Sequence, residues 1–136
     1  MKKIFLFLIF ICITVCLTAC TQESYILFNK HPITEETINS DSNTNIFKPG
    51  ERIYYLVTTP KTVKTKRLLI QVFKLGDQDR LGYELVWGKQ VKVRDEQVYY
   101  YTSYIVMNAT GAYQMRVYSK DEPTRLLTSS QFYVKN

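Results

Sequence analysis

The chain has 136 residues, of which 46% are hydrophobic and 14% aromatic, and its formal net charge is +6. One histidine (His31) excludes paired-histidine acid–base chemistry and His-rich metal sites. Three cysteines, all within the first twenty residues, exclude disulfides and thiolate metal sites from the remaining 116.

The first element is a leader. Lys2 and Lys3 form a basic start, Ile4 to Leu17 an apolar centre, and Leu17-Thr18-Ala19-Cys20 a small-residue exit. The apolar run is shorter than the ~20 residues an α-helix needs to cross a bilayer, and Thr21-Gln22-Glu23-Ser24 carries no basic stop-transfer cluster. An uncleaved anchor helix is therefore disfavoured. The Leu-x-Ala-Cys ending resembles a bacterial lipoprotein signal. That resemblance implies cleavage after Ala19 and a covalent diacylglycerol on the Cys20 thiol, with no other cofactor. Two or more acyl chains give stable anchoring where one is marginal, each buried CH₂ contributing about 0.8 kcal/mol. It further implies a lipid-anchored location in the bacterial cell envelope. Thr21 rather than Asp stands after the cysteine, which in a Gram-negative cell points to the outer membrane. Loss of Lys2 and Lys3 with the leader lowers the formal charge to +4. So mild a charge on an exported, tethered domain argues against nucleic acid as a partner.

Residues 20–45 read as a lipidated N-terminus and tether. Within them Tyr25-Ile26-Leu27-Phe28 is strand-like, and either pairs with the edge of the domain or is its first strand. Asn29 to Asn45 is polar and contains Pro32; Thr34 is placed to cap a single helical turn. Asp41, Asn43 and Asn45 have the opening spacing of a calcium loop, but Ile46 stands where that loop needs Gly and Arg52 where it needs Glu.

From Ile46 the pattern is strand, turn, strand. Pro49-Gly50 marks a turn. Ile53, Tyr55 and Val57 then alternate on one face, and after them Leu68, Ile70 and Val72 with Phe73 opposite. Tyr83–Trp87 and Lys89–Arg94 read as two short strands split at Gly88. Gln97 to Met107 reads as a long aromatic strand. Tyr113, Met115 and Val117 alternate cleanly, and Leu126 to Val134 closes the chain. The segments are rich in the β-branched and aromatic residues that suit a half-buried pleated surface. The prediction is all-β: a single β-sandwich of about seven strands over residues 46–136.

Gly111-Ala112-Tyr113 stands just before the cleanest strand. With Gln131-Phe132-Tyr133-Val134 behind it, this end of the chain resembles the last two strands of an immunoglobulin-like or fibronectin-like sandwich. There a tyrosine near the start of the penultimate strand bonds its hydroxyl to upstream backbone. Tyr113 fits that corner and Gly111 leaves it room. The chain departs from the pattern in having Ala109 where an Asp is usual, no inter-sheet cysteine pair, and Trp87 late for the strand-C tryptophan. An architectural resemblance carries no function.

The acidic residues fall in turn-like pairs (Asp77 and Asp79, Asp95 and Glu96, Asp121 and Glu122), as hairpins place them, so no catalytic carboxylate pair is expected. Neither an enzyme nor a metal protein is indicated. Lys61, Lys64, Lys66 and Arg67 form the main basic cluster, which reads either as a solvated strand edge that discourages pairing or as a contact for anionic lipid or glycan. Tyrosines are the strongest signal for binding. Tyr99, Tyr100, Tyr101 and Tyr104 crowd one strand, and alternation turns at least one of them outward. Tyr99, Tyr101, Tyr118 and Tyr133 are the candidate binding residues. They suit a protein partner or a glycan, and equally suit cross-strand pairing on a solvated sheet. The expected function is a membrane-anchored, non-enzymatic interaction or assembly module for another envelope protein, with a glycan-binding surface module as the alternative.

Overall fold

The computed structural model of the protein describes residues 23–39, 42–59, 65–76, 82–93, 100–121 and 125–136. Eight strands run in chain order: β1 (Tyr25–Asn29), β2 (Ile46–Phe47), β3 (Arg52–Thr58), β4 (Arg67–Leu75), β5 (Tyr83–Lys92), β6 (Tyr100–Val106), β7 (Gly111–Ser119) and β8 (Leu126–Val134). They form a three-stranded sheet, β1-β3-β6, and a five-stranded sheet, β2-β8-β7-β4-β5. The result is an all-β sandwich. Its order places β1, β3 and β6 where immunoglobulin-like sandwiches have strands A, B and E, and β8, β7, β4 and β5 where they have G, F, C and C′.

Alternation builds the core. Ile53, Tyr55 and Val57 of β3 face Leu68, Ile70 and Val72 of β4 and Tyr113, Met115 and Val117 of β7 in one buried cluster. Phe132 sits at its centre. Its ring stacks on Tyr113 at 5.2 Å, meets Phe47 edge-on at 6.3 Å, and lies 5.1 Å from Phe28 of the other sheet. Burial of this aromatic group at the sheet–sheet interface is the main source of cohesion.

The folded unit begins earlier than residue 46. β1 pairs with β3 along its whole length, from Tyr25↔Thr58 to Asn29↔Tyr54, and Ile26 and Phe28 are buried in the core. The segment expected to be a tether therefore supplies the first strand and a loop folded back on the sandwich. Asn29 holds that loop. Its side chain is fully buried; the amide donates to Ser42 Oγ at 2.9 Å and Asn43 Oδ1 at 3.2 Å, while its oxygen accepts from the His31 N–H at 2.9 Å. Thr44 N–H donates to Phe28 C=O at 3.0 Å, and Ile38 N–H to Thr34 C=O at 2.9 Å in the single turn that Thr34 opens.

β5 is one strand, not two. It runs straight through Gly88, and the irregularity lies two residues earlier, where Val72 faces Trp87 and Phe73 faces Leu85 so that Val86 is the extra residue of a bulge. The Pro49-Gly50 turn forms as expected: Gly50 has φ 78° and Glu51 N–H donates to Lys48 C=O at 3.1 Å. Parallel pairing of the short β2 with β8, Ile46↔Tyr133 and Phe47↔Val134, brings the strand count to eight.

Candidate functional site

The corner predicted at Gly111 and Tyr113 is present and serves the fold. Tyr113 is buried, and its hydroxyl donates to Ala109 C=O at 2.6 Å. Burial pushes its pKa up. Gly111 holds φ at 154°, a conformation residues with a Cβ rarely adopt.

Cys20, with Leu17, Thr18 and Ala19, lies outside the described residues, and so does Tyr99. The other candidate tyrosines do not converge. Tyr101 points inward, its ring 6.2 Å from that of Tyr55 and packed against the core, which corrects its assignment as an outward binding residue. The physical reason is parity. β6 carries tyrosines on both faces, and Ile105 and Met107, which complete the core, fix the odd-numbered side chains inward. Tyr100 and Tyr104 are the outward pair, each about half exposed. Tyr104 pairs with Tyr54 at 5.6 Å under the Arg52 guanidinium, 4.9 Å from its centroid. Tyr118 and Tyr133 share the outer face of the five-stranded sheet but sit at opposite ends, facing Leu126 and Ala112. Six residues of β7 separate those ends, or about 20 Å at ~3.3 Å per residue. This leaves them without the common platform that stacking on a sugar needs.

A different surface gathers exposed apolar area. β5 pairs with β4 alone among the described residues, so its other edge carries no described strand. Tyr83 is 63% exposed, Leu85 52% and Val86 40%. Behind them the Arg116 guanidinium lies 4.8 Å from both the Phe73 and the Tyr83 ring centroids, and its Nε donates to Gln114 Oε1 at 2.8 Å. Phe73 and Tyr83 meet edge-on at 6.4 Å. The cation therefore holds a rigid aromatic pair at the bulge, beside the edge that carries no described strand. The sequence carried a signal for this in the Tyr83/Leu85 alternation and the nearby Phe73.

A second concavity covers the outer face of the three-stranded sheet. A groove of about 980 Å³ has Leu56, Thr58, Tyr100 and Thr102 as its floor and Ile33 and Ile38 of the folded-back loop as its wall.

Asp121 and Tyr55 sit within the fold. Asp121 Oδ2 accepts the Lys66 N–H at 2.9 Å and faces the Thr65 hydroxyl at 3.1 Å, and these bonds, the Lys66 one foremost, hold its pKa below the usual carboxylate value. Tyr55 is fully buried with its hydroxyl in no hydrogen bond, although Ser103 stands opposite it on β6. Burial first, then the nearby Tyr101, pushes its pKa above the ordinary tyrosine range. Among the described residues no three His, Cys, Asp or Glu side chains gather as metal ligands would. No protein-family model and no curated protein matches the chain.

Proposed function

We propose that this chain is a lipid-anchored module of the bacterial cell envelope that binds another envelope protein and catalyses no reaction. The anchor is Cys20, on the strength of the Leu17-Thr18-Ala19-Cys20 ending. The docking surface is β5, with Tyr83, Leu85 and Val86 at its edge and the Phe73–Tyr83–Arg116 cluster beside it. One observation carries this reading: a ten-residue edge strand whose side chains are almost all exposed, apolar at one end, and with a single neighbouring strand among the described residues. Such an edge is a template on which a partner strand adds by backbone pairing, while Tyr83 and Leu85 give the side-chain selectivity. Lys89 and Lys92, toward the other end of β5, discourage pairing with a second copy.

The test is affinity capture from detergent-solubilised envelopes with the intact protein, a Tyr83→Ala/Leu85→Lys variant and a Tyr104→Ala variant. The wild type and Tyr104→Ala are expected to enrich the same defined protein. The β5 variant is expected to lose it while its folding stability stays within about 0.5 kcal/mol. Equal capture by all three refutes the β5 surface.

A further inference from the structure

We propose that the groove over the three-stranded sheet is a binding site for an apolar cation, an aryl- or alkylammonium. This goes beyond the docking surface and does not depend on it, since the groove lies on the opposite sheet. The cavity, about 980 Å³, is of ligand-site size. Its floor is sheet surface that faces away from the core yet is withdrawn from water: Leu56 is only 4% exposed, and Ile33 of the wall 7%.

The wall is held by hydrogen bonds of its own. Asn29 ties its base to Ser42 and Asn43, the Asn43 amide donates back to Ile38 C=O at 3.2 Å, and the Thr34–Ile38 turn closes on itself. A preformed wall removes the ordering cost of binding.

Charge and polarity select the ligand. Glu23 and Glu35 are the charged side chains among the described residues lining the groove, where no lysine or arginine appears, although the whole chain carries +6. Carboxylates beside a low-dielectric concavity focus a negative potential into it. Tyr25 and Tyr100, each near half exposed, add ring faces that attract a cation. An anionic amphiphile meets two carboxylates and no described counter-charge. A polyamine without apolar area makes no use of the apolar lining at Ile38 and on the Tyr25 and Tyr100 rings.

The full chain in lipid nanodiscs tests this by ¹H–¹⁵N NMR against three matched probes: phenethylammonium, 2-phenylethanol and 3-phenylpropionate. Phenethylammonium is expected to move the amides of Leu56, Thr58, Tyr100 and Thr102 saturably, with the alcohol weaker and the carboxylate not binding. Glu23→Gln/Glu35→Gln, a solvent-exposed pair that leaves the core untouched, is expected to weaken the cation by about 3- to 10-fold and leave the alcohol unchanged. Leu56→Trp fills the floor and is expected to abolish both. Three results overturn the proposal: the carboxylate or the alcohol binding as tightly as the cation, amide shifts confined to another face, or no loss of the cation in the Gln variant.

Discussion

β7 and β5 lie two places apart in the same sheet and have opposite fates. β7 alternates between buried and half-buried along its length, flanked by β4 and β8 and covered by the opposing sheet. β5 is exposed almost throughout. The difference is one of width. At about 4.8 Å between neighbouring strands, five strands extend ~19 Å between outer axes and three only ~10 Å. A three-stranded sheet therefore covers the middle of its partner and leaves a margin overhanging. Trp87 and Val91 reach back toward the core and are only half-buried, while Tyr83, Leu85 and Val86 project outward. An unequal pair of sheets thus leaves an uncovered margin, and in this chain that margin holds apolar side chains and an edge that no other described strand pairs with.

The comparison predicts a graded response to substitution. The largest effect belongs at the covered centre: Phe132→Ala removes the ring that joins Phe28, Phe47 and Tyr113, and is expected to cost about 3–5 kcal/mol in urea unfolding. Tyr113→Phe keeps the stacked ring and deletes only the bond to Ala109 C=O, for about 1 kcal/mol. Leu85→Lys on the overhang is expected to fall within about 0.5 kcal/mol, measured in the same unfolding series. A reversed order, with Leu85→Lys costing more than Tyr113→Phe, breaks the distinction between covered centre and free margin.

The covered strands were legible in the sequence because each carries an unbroken run of apolar residues on one parity, even where, as at Leu56 and Leu69, the other parity is not wholly polar. Ile53/Tyr55/Val57, Leu68/Ile70/Val72 and Tyr113/Met115/Val117 all face as alternation requires, and the Gly111–Tyr113 corner forms. Where both parities are apolar, as in Tyr100 to Met107, alternation alone does not choose a face, and Tyr101 was assigned to the wrong one. β1 was legible as a strand, and what was not legible is the loop that follows it. The stretch after Phe28 reads as a tether unless the buried Asn29 side chain is known to knit that stretch together. The exposed margin at β5 was legible only as the Tyr83/Leu85 alternation, since which strand overhangs depends on the widths of two sheets that only the fold assembles. Gly88 suggested a break that the ladder passes through, because a glycine inside a strand weakens pairing without ending it.

Docking of a partner on β5 can be read out by photo-crosslinking in the intact envelope. A benzophenone amino acid is placed at position 86, and separately at position 104 on the opposite sheet. Position 86 is expected to give one defined protein adduct and position 104 none. An adduct from 104 with none from 86, or none from either, contradicts it.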